Sequence, residues 1–589
     1  MATLFDSASL ALIPSGVKES KVYSIKPTDG SGDFTFSRGT DTATRVNASG
    51  LIEKERGNLV LQSNTFTNAS WTKSGGAVTG GQSGYDGSSD AYSFISDTSN
   101  GGHRVIQTIA SSGVNTISIY AKANGYNYLA IYEPNNGGKF FDLANGLVGN
   151  TMAGSAPTFA SIESVGGGWY RCSIVCDTAV TSVEYWMSAD GTNHIFTGNG
   201  TSGVFIQDAM LNQGLVAQPY IETTTAAVYE GITDNLPRLD YSGGASCPSL
   251  LLEPSRTNLL VHSEYFGASY WTKSGVSVVG GFTSPEGLSN AYKLVEDSSN
   301  GQHFIYSSNS GGSVGNKITT SFFVKADTRS WCRIIGYDGS SVWFDLENGV
   351  LGTQTNAIGS IEPLLNDWYK ISSTYTSSNA SAEKGYLYLA TGNNSTTYQG
   401  DGTSGIYIYG AQLELGSYPT SYIPTYGTSA SRAADDAKIE NISDIIGQTE
   451  GTLFVDATIK AGVEGVSRVS LSAGNSTNNW IFLGLAEGIV SQSRVYINYL
   501  GVTYVNAYGS ALSSGRHKYA LAYKENDVVL YVDGVLQVSD TSVSIPLCDK
   551  ITLTGSAPNT DADKIEERHQ TLLFKTRLTN AELAALTTI

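Results

Sequence analysis

Methionine, cysteine and charge are all scarce in this sequence. Of 589 residues only 4 are Met and 5 are Cys, and Asp, Glu, Lys and Arg together make up 15%, against the ~25% usual for soluble domains. With Lys, Arg, Glu and Met so thin, long solvent-exposed helices are excluded as the main architecture. The basic residues are the scarcer charges, 35 against 53 acidic, for a net charge of −18. No Lys/Arg-rich stripe overrides that balance, so nucleic acid and anionic membrane surfaces are repelled by most of this surface. No apolar run approaches the ~18 residues of a membrane span. The start, Met1-Ala-Thr-Leu-Phe-Asp, lacks the basic n-region of a secretory signal peptide. The sequence therefore reads as made in a reducing cytoplasm, with no membrane insertion and no nucleic-acid partner.

Chemistry is equally thin. The cysteines (Cys172, Cys176, Cys247, Cys332, Cys548) are scattered and odd in number. Cys172 and Cys176 are spaced C-x3-C, but no second Cys/His pair stands nearby to close a zinc site. A strand over 171–177 would turn both to one face, which suits buried thiols. No Ser/His/Asp arrangement is legible. Paired carboxylates occur at Asp435-Asp436 and Asp561/Asp563, in turn-like segments without the apolar packing that raises a carboxyl pKa for acid catalysis. No catalytic residue is assigned, and the chain reads as a non-enzyme. No cofactor is expected. Hard oxygen ligands are plentiful enough for calcium, yet no EF-hand-like spacing names them, so metal ligands stay unknown.

What is present is glycine (66), tyrosine (34) and hydrophobic residues at 40%, the composition of many short strands and turns with enough core to need no staples. The length predicts three or four domains at roughly 150 residues each. An internal duplication organises them. Arg56-Gly-Asn-Leu-Val-Leu is answered by Arg256-Thr-Asn-Leu-Leu-Val, Trp71-Thr-Lys-Ser-Gly by Trp271-Thr-Lys-Ser-Gly, and Asn100-Gly-Gly-His by Asn300-Gly-Gln-His. Trp169-Tyr170 pairs with Trp368-Tyr369 in the same way, and Gly198-Asn-Gly-Thr-Ser-Gly with Gly400-Asp-Gly-Thr-Ser-Gly. A period near 200 is too long for a solenoid and means two tandem globular modules. Within them, runs from Asn115, Gly203, Lys317 and Gly405 alternate apolar and polar residues as half-buried strands do. The fold class expected is all-β: tandem β-sandwich (jelly-roll) domains plus a C-terminal lectin-like β-sandwich. Boundaries fall at 1–55 (an arm), 56–228 (first module), 229–255 (a connector), 256–430 (second module) and 431–589 (the C-terminal domain). In that last domain Asp533-Gly534 predicts a tight hairpin, and Thr579 with Glu582 a capping box that opens a short terminal helix.

The phrases Ser37-Arg-Gly-Thr, Ala43-Thr-Arg-Val-Asn-Ala-Ser-Gly-Leu-Ile-Glu and Ser249-Leu-Leu-Leu-Glu-Pro-Ser-Arg-Thr-Asn-Leu resemble the openings of bacteriophage tail-fibre and head-fibre proteins, which lead into jelly rolls like carbohydrate-binding modules. The third unit, through Arg516-His-Lys-Tyr-Ala-Leu-Ala-Tyr and Tyr531-Val-Asp-Gly, resembles concanavalin A-like, laminin G-like domains. That resemblance implies a virion structural protein made in the host cytoplasm, a tail-fibre adhesin that contacts host-surface polysaccharide. The alternatives are a head fibre or capsid decoration, and a depolymerase. It further implies contacts with other virion proteins through residues 1–55 and a homo-oligomer, with a trimer favoured by analogy. It transfers no site residues. From the sequence itself, Trp71 and Trp271 are candidate sugar-stacking platforms, with a place in the sandwich core as the other reading. His103 and His303, the histidines that recur, are candidates for glycan hydrogen bonding or ordinary loop residues.

Overall fold

The computed structural model describes residues 2–152, 154, 156–307, 313–378, 383–460, 467–485, 492–554 and 566–589. The period-two runs become strands beginning at the expected residues. In the first module Asn115–Asn124 and Gly203–Gln213 pair antiparallel at the centre of a six-stranded sheet. Across that sheet the order is Phe159–Gly166, Trp169–Cys176, Asn115–Asn124, Gly203–Gln213, Ala91–Ser96 and Gly76–Gln82. A second sheet runs Leu147–Met152, Gly137–Asp142, Tyr128–Glu133, Val180–Ser188, Arg104–Ser111 and Thr72–Ser74. Ile117, Ile119, Ile174 and Ile206 of the first sheet meet Leu129, Ile131, Val183 and Tyr185 of the second in one core, the inward half of each alternating strand.

The second module repeats this order strand for strand. One sheet is Ala357–Pro363, Trp368–Thr376, Lys317–Ala326, Gly405–Leu415, Ala291–Glu296 and Val276–Phe282. The other is Val350–Thr355, Ser341–Asp345, Trp331–Ile335, Tyr386–Ala390, Phe304–Ser307 and Trp271–Ser274. Duplicated phrases thus sit at duplicated places. Asn58 and Asn258 are both buried, and each donates its amide to two backbone carbonyls, Ala209 and Ile221 in one copy, Ala411 and Ile423 in the other.

Residues 1–55 and 229–255 correct the sequence reading of a free arm and a connector. Leu10–Leu12 pairs with Glu566–Phe574, and Phe34–Ser37 with Asp436–Ile439. The segment read as a connector forms a hairpin of Arg238–Asp240 and Ser249–Leu252, whose second strand also pairs with Glu566–Phe574. Together these segments complete a sandwich of an eight-stranded and a nine-stranded sheet among the described residues. The chain starts and finishes in one composite sandwich, with both modules inserted between its strands. Each module leaves through a neck: Arg56–Asn58 pairs with Val228–Glu230, and Arg256–Asn258 with Ala430–Arg432. The physical reason is core size. Leu10, Leu12, Val22, Phe34 and Phe36 are too few to fold alone, but they share one cluster with Leu453, Val455, Leu471, Leu483 and Leu521.

Buried ion pairs lock this arrangement. Arg238 reaches Glu253 at 2.6 Å and Asp435 at 2.5 Å, Arg432 reaches Glu253 at 2.9 Å, and Arg38 reaches Asp435 at 3.4 Å. All five side chains are sealed from solvent, and they come from the three separate segments of the composite sandwich. Lys54 ties the first segment to the second module through Glu264 (2.7 Å) and Glu286 (2.6 Å). At the C-terminus Asp533 and Gly534 both take positive φ in the expected hairpin, and Thr579 caps the helix Asn580–Thr587 reciprocally with Glu582.

Candidate functional site

The four residues expected to touch sugar are inside the protein. Trp71 and Trp271 are 1% and 2% exposed and pack in the cores of their modules, each donating its indole N–H to a carbonyl (Gln62 and His262, both 2.9 Å). Neither ring offers a face to a ligand, so the sugar-platform reading is corrected to a core one. His103 and His303 are likewise fully buried. Each puts Nδ1 against the carbonyl of Gly75 or Gly275, and Nε2 against that of Phe196 (3.1 Å) or Tyr398 (3.4 Å). Gly75 and Gly275 take positive φ where an added Cβ would press on the imidazole. The repeated phrases therefore encode packing, with the Trp in the module core and the imidazole seated against the left-handed glycine that ends the phrase.

The other expected chemistry is also consumed internally. Asp435 belongs to the buried ion-pair network, while Asp436 pairs with Lys438 at 2.8 Å. Asp561 and Asp563 lie outside the described residues. Cys172, Cys176 and Cys332 are buried, and burial pushes their thiols up in pKa, away from the thiolate a metal or an electrophile would need. Among the described residues no group of three His, Cys, Asp or Glu is placed to hold a metal ion.

The surface that stands out is the outward face of the second module's Phe304–Ser307 sheet. Ile305, Leu387, Leu389, Cys332 and Ile334 point into the core. Their neighbours in sequence, Phe304, Tyr306, Tyr386, Tyr388, Trp331 and Arg333, therefore stand on the opposite face, as the pleat requires. Register aligns them across strands: Phe304 is opposite Tyr388, which is opposite Arg333, which is opposite Trp343. One row over, Tyr306 is opposite Tyr386. The rings form two stacked pairs, Phe304–Tyr388 with centroids 4.4 Å apart and 14° between planes, and Tyr306–Tyr386 at 4.8 Å and 28°. Arg333 lies over the Trp343 ring at 5.1 Å, and the Lys384 ammonium over Tyr306 at 4.8 Å. Burial, followed by the neighbouring Tyr386 phenol, raises the Tyr388 pKa. On this face Tyr388 and Trp343 are buried, 9% and 4% exposed, while Phe304, Tyr306 and Tyr386 are half-buried.

The corresponding face of the first module is built differently. Phe140 and Met152 are buried on it with Trp186, whose indole N–H donates to Glu184 at 2.9 Å. Arg104 covers that indole at 4.6 Å and pairs with Glu184 at 2.8 Å. The composite sandwich carries a smaller aromatic patch, with Arg494 between Tyr496 (5.4 Å) and Tyr508 (5.5 Å). A cavity of about 640 Å³ lies at the seam between the second module and the composite sandwich, lined by Ile52, Phe323, Leu364, Tyr422 and Ile459. Lys460 at its wall is held by Glu567 at 2.7 Å.

Phe304, Tyr306, Tyr386 and Tyr388 are not among the site residues expected from the sequence. The available signal was a strand whose outward positions, normally polar, are aromatic: Phe304-Ile-Tyr-Ser and Tyr386-Leu-Tyr-Leu both show it.

No family model and no curated protein matches this sequence. Among solved structures the chain is similar to the CBM40 module of a Ruminococcus gnavus IT-sialidase bound to α2,3 sialyllactose: 14% identity and a TM-score of 0.22, over 26% of this chain and 91% of that one. It is similar to the NanB sialidase of Streptococcus pneumoniae at 15% identity and a TM-score of 0.22, over 26% of each chain. It is also similar to domains LG4-5 of the mouse laminin α1 chain at 13% identity and a TM-score of 0.18, over 48% of this chain and 90% of that one. Scores of this size carry no argument about ligand or activity. The β-sandwich assignment rests on the sheets themselves.

Proposed function

We propose that this protein is a glycan-binding adhesin of a bacteriophage particle, and that it binds through the outward aromatic face of its second module. The observation that carries the binding reading is the double ring stack Phe304–Tyr388 and Tyr306–Tyr386, held on a rigid sheet. The apolar face of a pyranose packs against aromatic planes, and phenol hydroxyls at the rim hydrogen-bond its hydroxyl groups. Rings fixed by strand pairing lose little entropy on binding. A single platform of this kind supports millimolar affinity, about −4 kcal/mol. Presentation of several copies raises the avidity by factors of order 10²–10⁴.

The phage assignment and the tail-fibre position are supported by the sequence phrases that resemble fibre proteins. Contacts with other virion proteins and trimer formation belong to the same proposal. The strands within residues 1–55 are engaged inside the chain, so attachment would use another surface. Binding without cleavage is proposed, because Asp435 and Asp436 are held in ion pairs. The test is a glycan array probed with the purified full chain, followed by a reducing-end assay on whatever polysaccharide is retained. Retention without new reducing ends is expected. New reducing ends would establish a depolymerase, and no retention of any glycan would leave an architectural role.

A further inference from the structure

Among the described residues two cations on this aromatic face, Arg333 and Lys384, have no carboxylate partner, in a chain where acidic residues outnumber basic ones 53 to 35. Several arginines elsewhere hold acids: Arg104 holds Glu184, Arg329 holds Glu296, Arg516 holds Asp456 and Arg577 holds Asp527. Arg333 instead donates to the Ser341 hydroxyl at 3.0 Å and lies over Trp343, while its Nε is buried without an acceptor among the described residues. Burial lowers the Arg333 pKa, the Tyr388 phenol opposes that shift, and no carboxylate contributes to it. Lys384 stands over Tyr306 at 4.8 Å, with Tyr337 and Tyr386 each at 5.9 Å, and makes no ion pair among the described residues. Its neighbour Glu383 is turned inward and bonded to the Tyr375 and Ser377 hydroxyls. The stretches that adjoin these strands in sequence, 308–312 and 379–382, contain no acidic residue.

Building on the proposed glycan-binding function, we infer that the second module's face selects saccharides that carry a carboxylate, with Arg333 and Lys384 flanking the tyrosine stack as the groups that receive it. A guanidinium already stacked on an indole is pre-organised, and its planar fork matches a carboxylate better than it matches a hydroxyl. Neutral sugars would engage the rings and leave both cations unpaired. Acidic ones would satisfy both parts of the surface.

The inference is tested with a panel of uronate-containing and sialylated oligosaccharides, each paired with its carboxyl-reduced counterpart, titrated into the full-length protein. The reduced sugar keeps the ring and loses only the charge. At least one acidic member should bind about tenfold or more tighter than its reduced partner, and this preference should fall as salt rises. Arg333→Gln with Lys384→Gln should abolish the preference and leave the reduced sugar's affinity within about twofold. Tyr386→Ala should weaken acidic and reduced sugars alike. Equal affinity across every pair, or a preference that survives the double substitution, overturns the carboxylate inference alone. Binding unmoved by Tyr386→Ala overturns the aromatic-face reading beneath it. Thermal melts of each variant exclude misfolding as the cause.

Discussion

Arg238 and Asp435 are 197 residues apart in sequence and meet at 2.5 Å, both side chains sealed from solvent. One follows the first inserted module and the other follows the second. Their contact fixes where each module leaves the composite sandwich, and Glu253, bridging Arg238 and Arg432, closes the same knot.

Breaking that knot on one side strands a buried guanidinium. Asp435→Ala should cost about 3–5 kcal/mol of unfolding free energy, the loss typical of removing one partner from a buried pair. Urea denaturation followed through the composite sandwich would measure it. A loss under about 1 kcal/mol, the size seen for surface pairs, would show that the network is solvated.

Deletion of residues 1–55 distinguishes an integral segment from an arm. The deletion removes Phe34 and Phe36 from the main core and the Leu10–Leu12 strand from beside Glu566–Phe574. The truncated chain is expected to aggregate, or to lose the melting transition of the composite sandwich. An unchanged melt would restore the arm.

Trp271→Ala should cost about 3–5 kcal/mol, as large core truncations do, while glycan affinity per folded molecule stays constant. A surface platform would show the opposite pattern, with binding lost and stability kept. The same contrast holds for Trp71.

In the first module, burial raises the Asp208 carboxyl to about 7 from an ordinary 3.8, with Asp90 adding to the shift and the Tyr85 hydroxyl opposing it. Below about pH 4 the group is protonated in folded and unfolded chains alike. As pH rises from about 4 to 7 the unfolded chain releases its proton first, so stability falls across that window and levels off above it. Asp208→Asn removes the penalty, and the residue's φ of +56° is one that Asn accepts. The variant should gain on the parent between pH 4 and 7, by at most roughly 4 kcal/mol. A stability difference that is flat with pH would contradict this assignment.

The sandwiches were legible because period-two alternation and turn chemistry are local signals. The strands from Asn115, Gly203, Lys317 and Gly405 and the Asp533-Gly534 hairpin follow from them directly. The duplicated phrases were legible as well, but their meaning lay in packing. Trp71 and Trp271 recur as core indoles, and His103 and His303 recur because each imidazole seats against the carbonyl of a left-handed glycine. The role of residues 1–55 was not legible, because Leu10 finds Leu573 only in the folded chain and no local pattern announces a pairing across 563 positions. The aromatic face was half legible. Outward tyrosines on the Tyr386–Ala390 strand break the usual alternation, but only register places Tyr386 beside Tyr306 and Arg333 beside Trp343.

Hydroxyl-radical footprinting of the full-length protein, with and without saturating amounts of a glycan retained on the array, tests the proposed face most directly. Phe304, Tyr306 and Tyr386 should lose reactivity when the glycan binds, while the exposed Tyr504 and Tyr508 of the composite sandwich keep theirs. Protection confined to the first module or the composite sandwich, with these three rings of the second module unchanged, would contradict the proposed face.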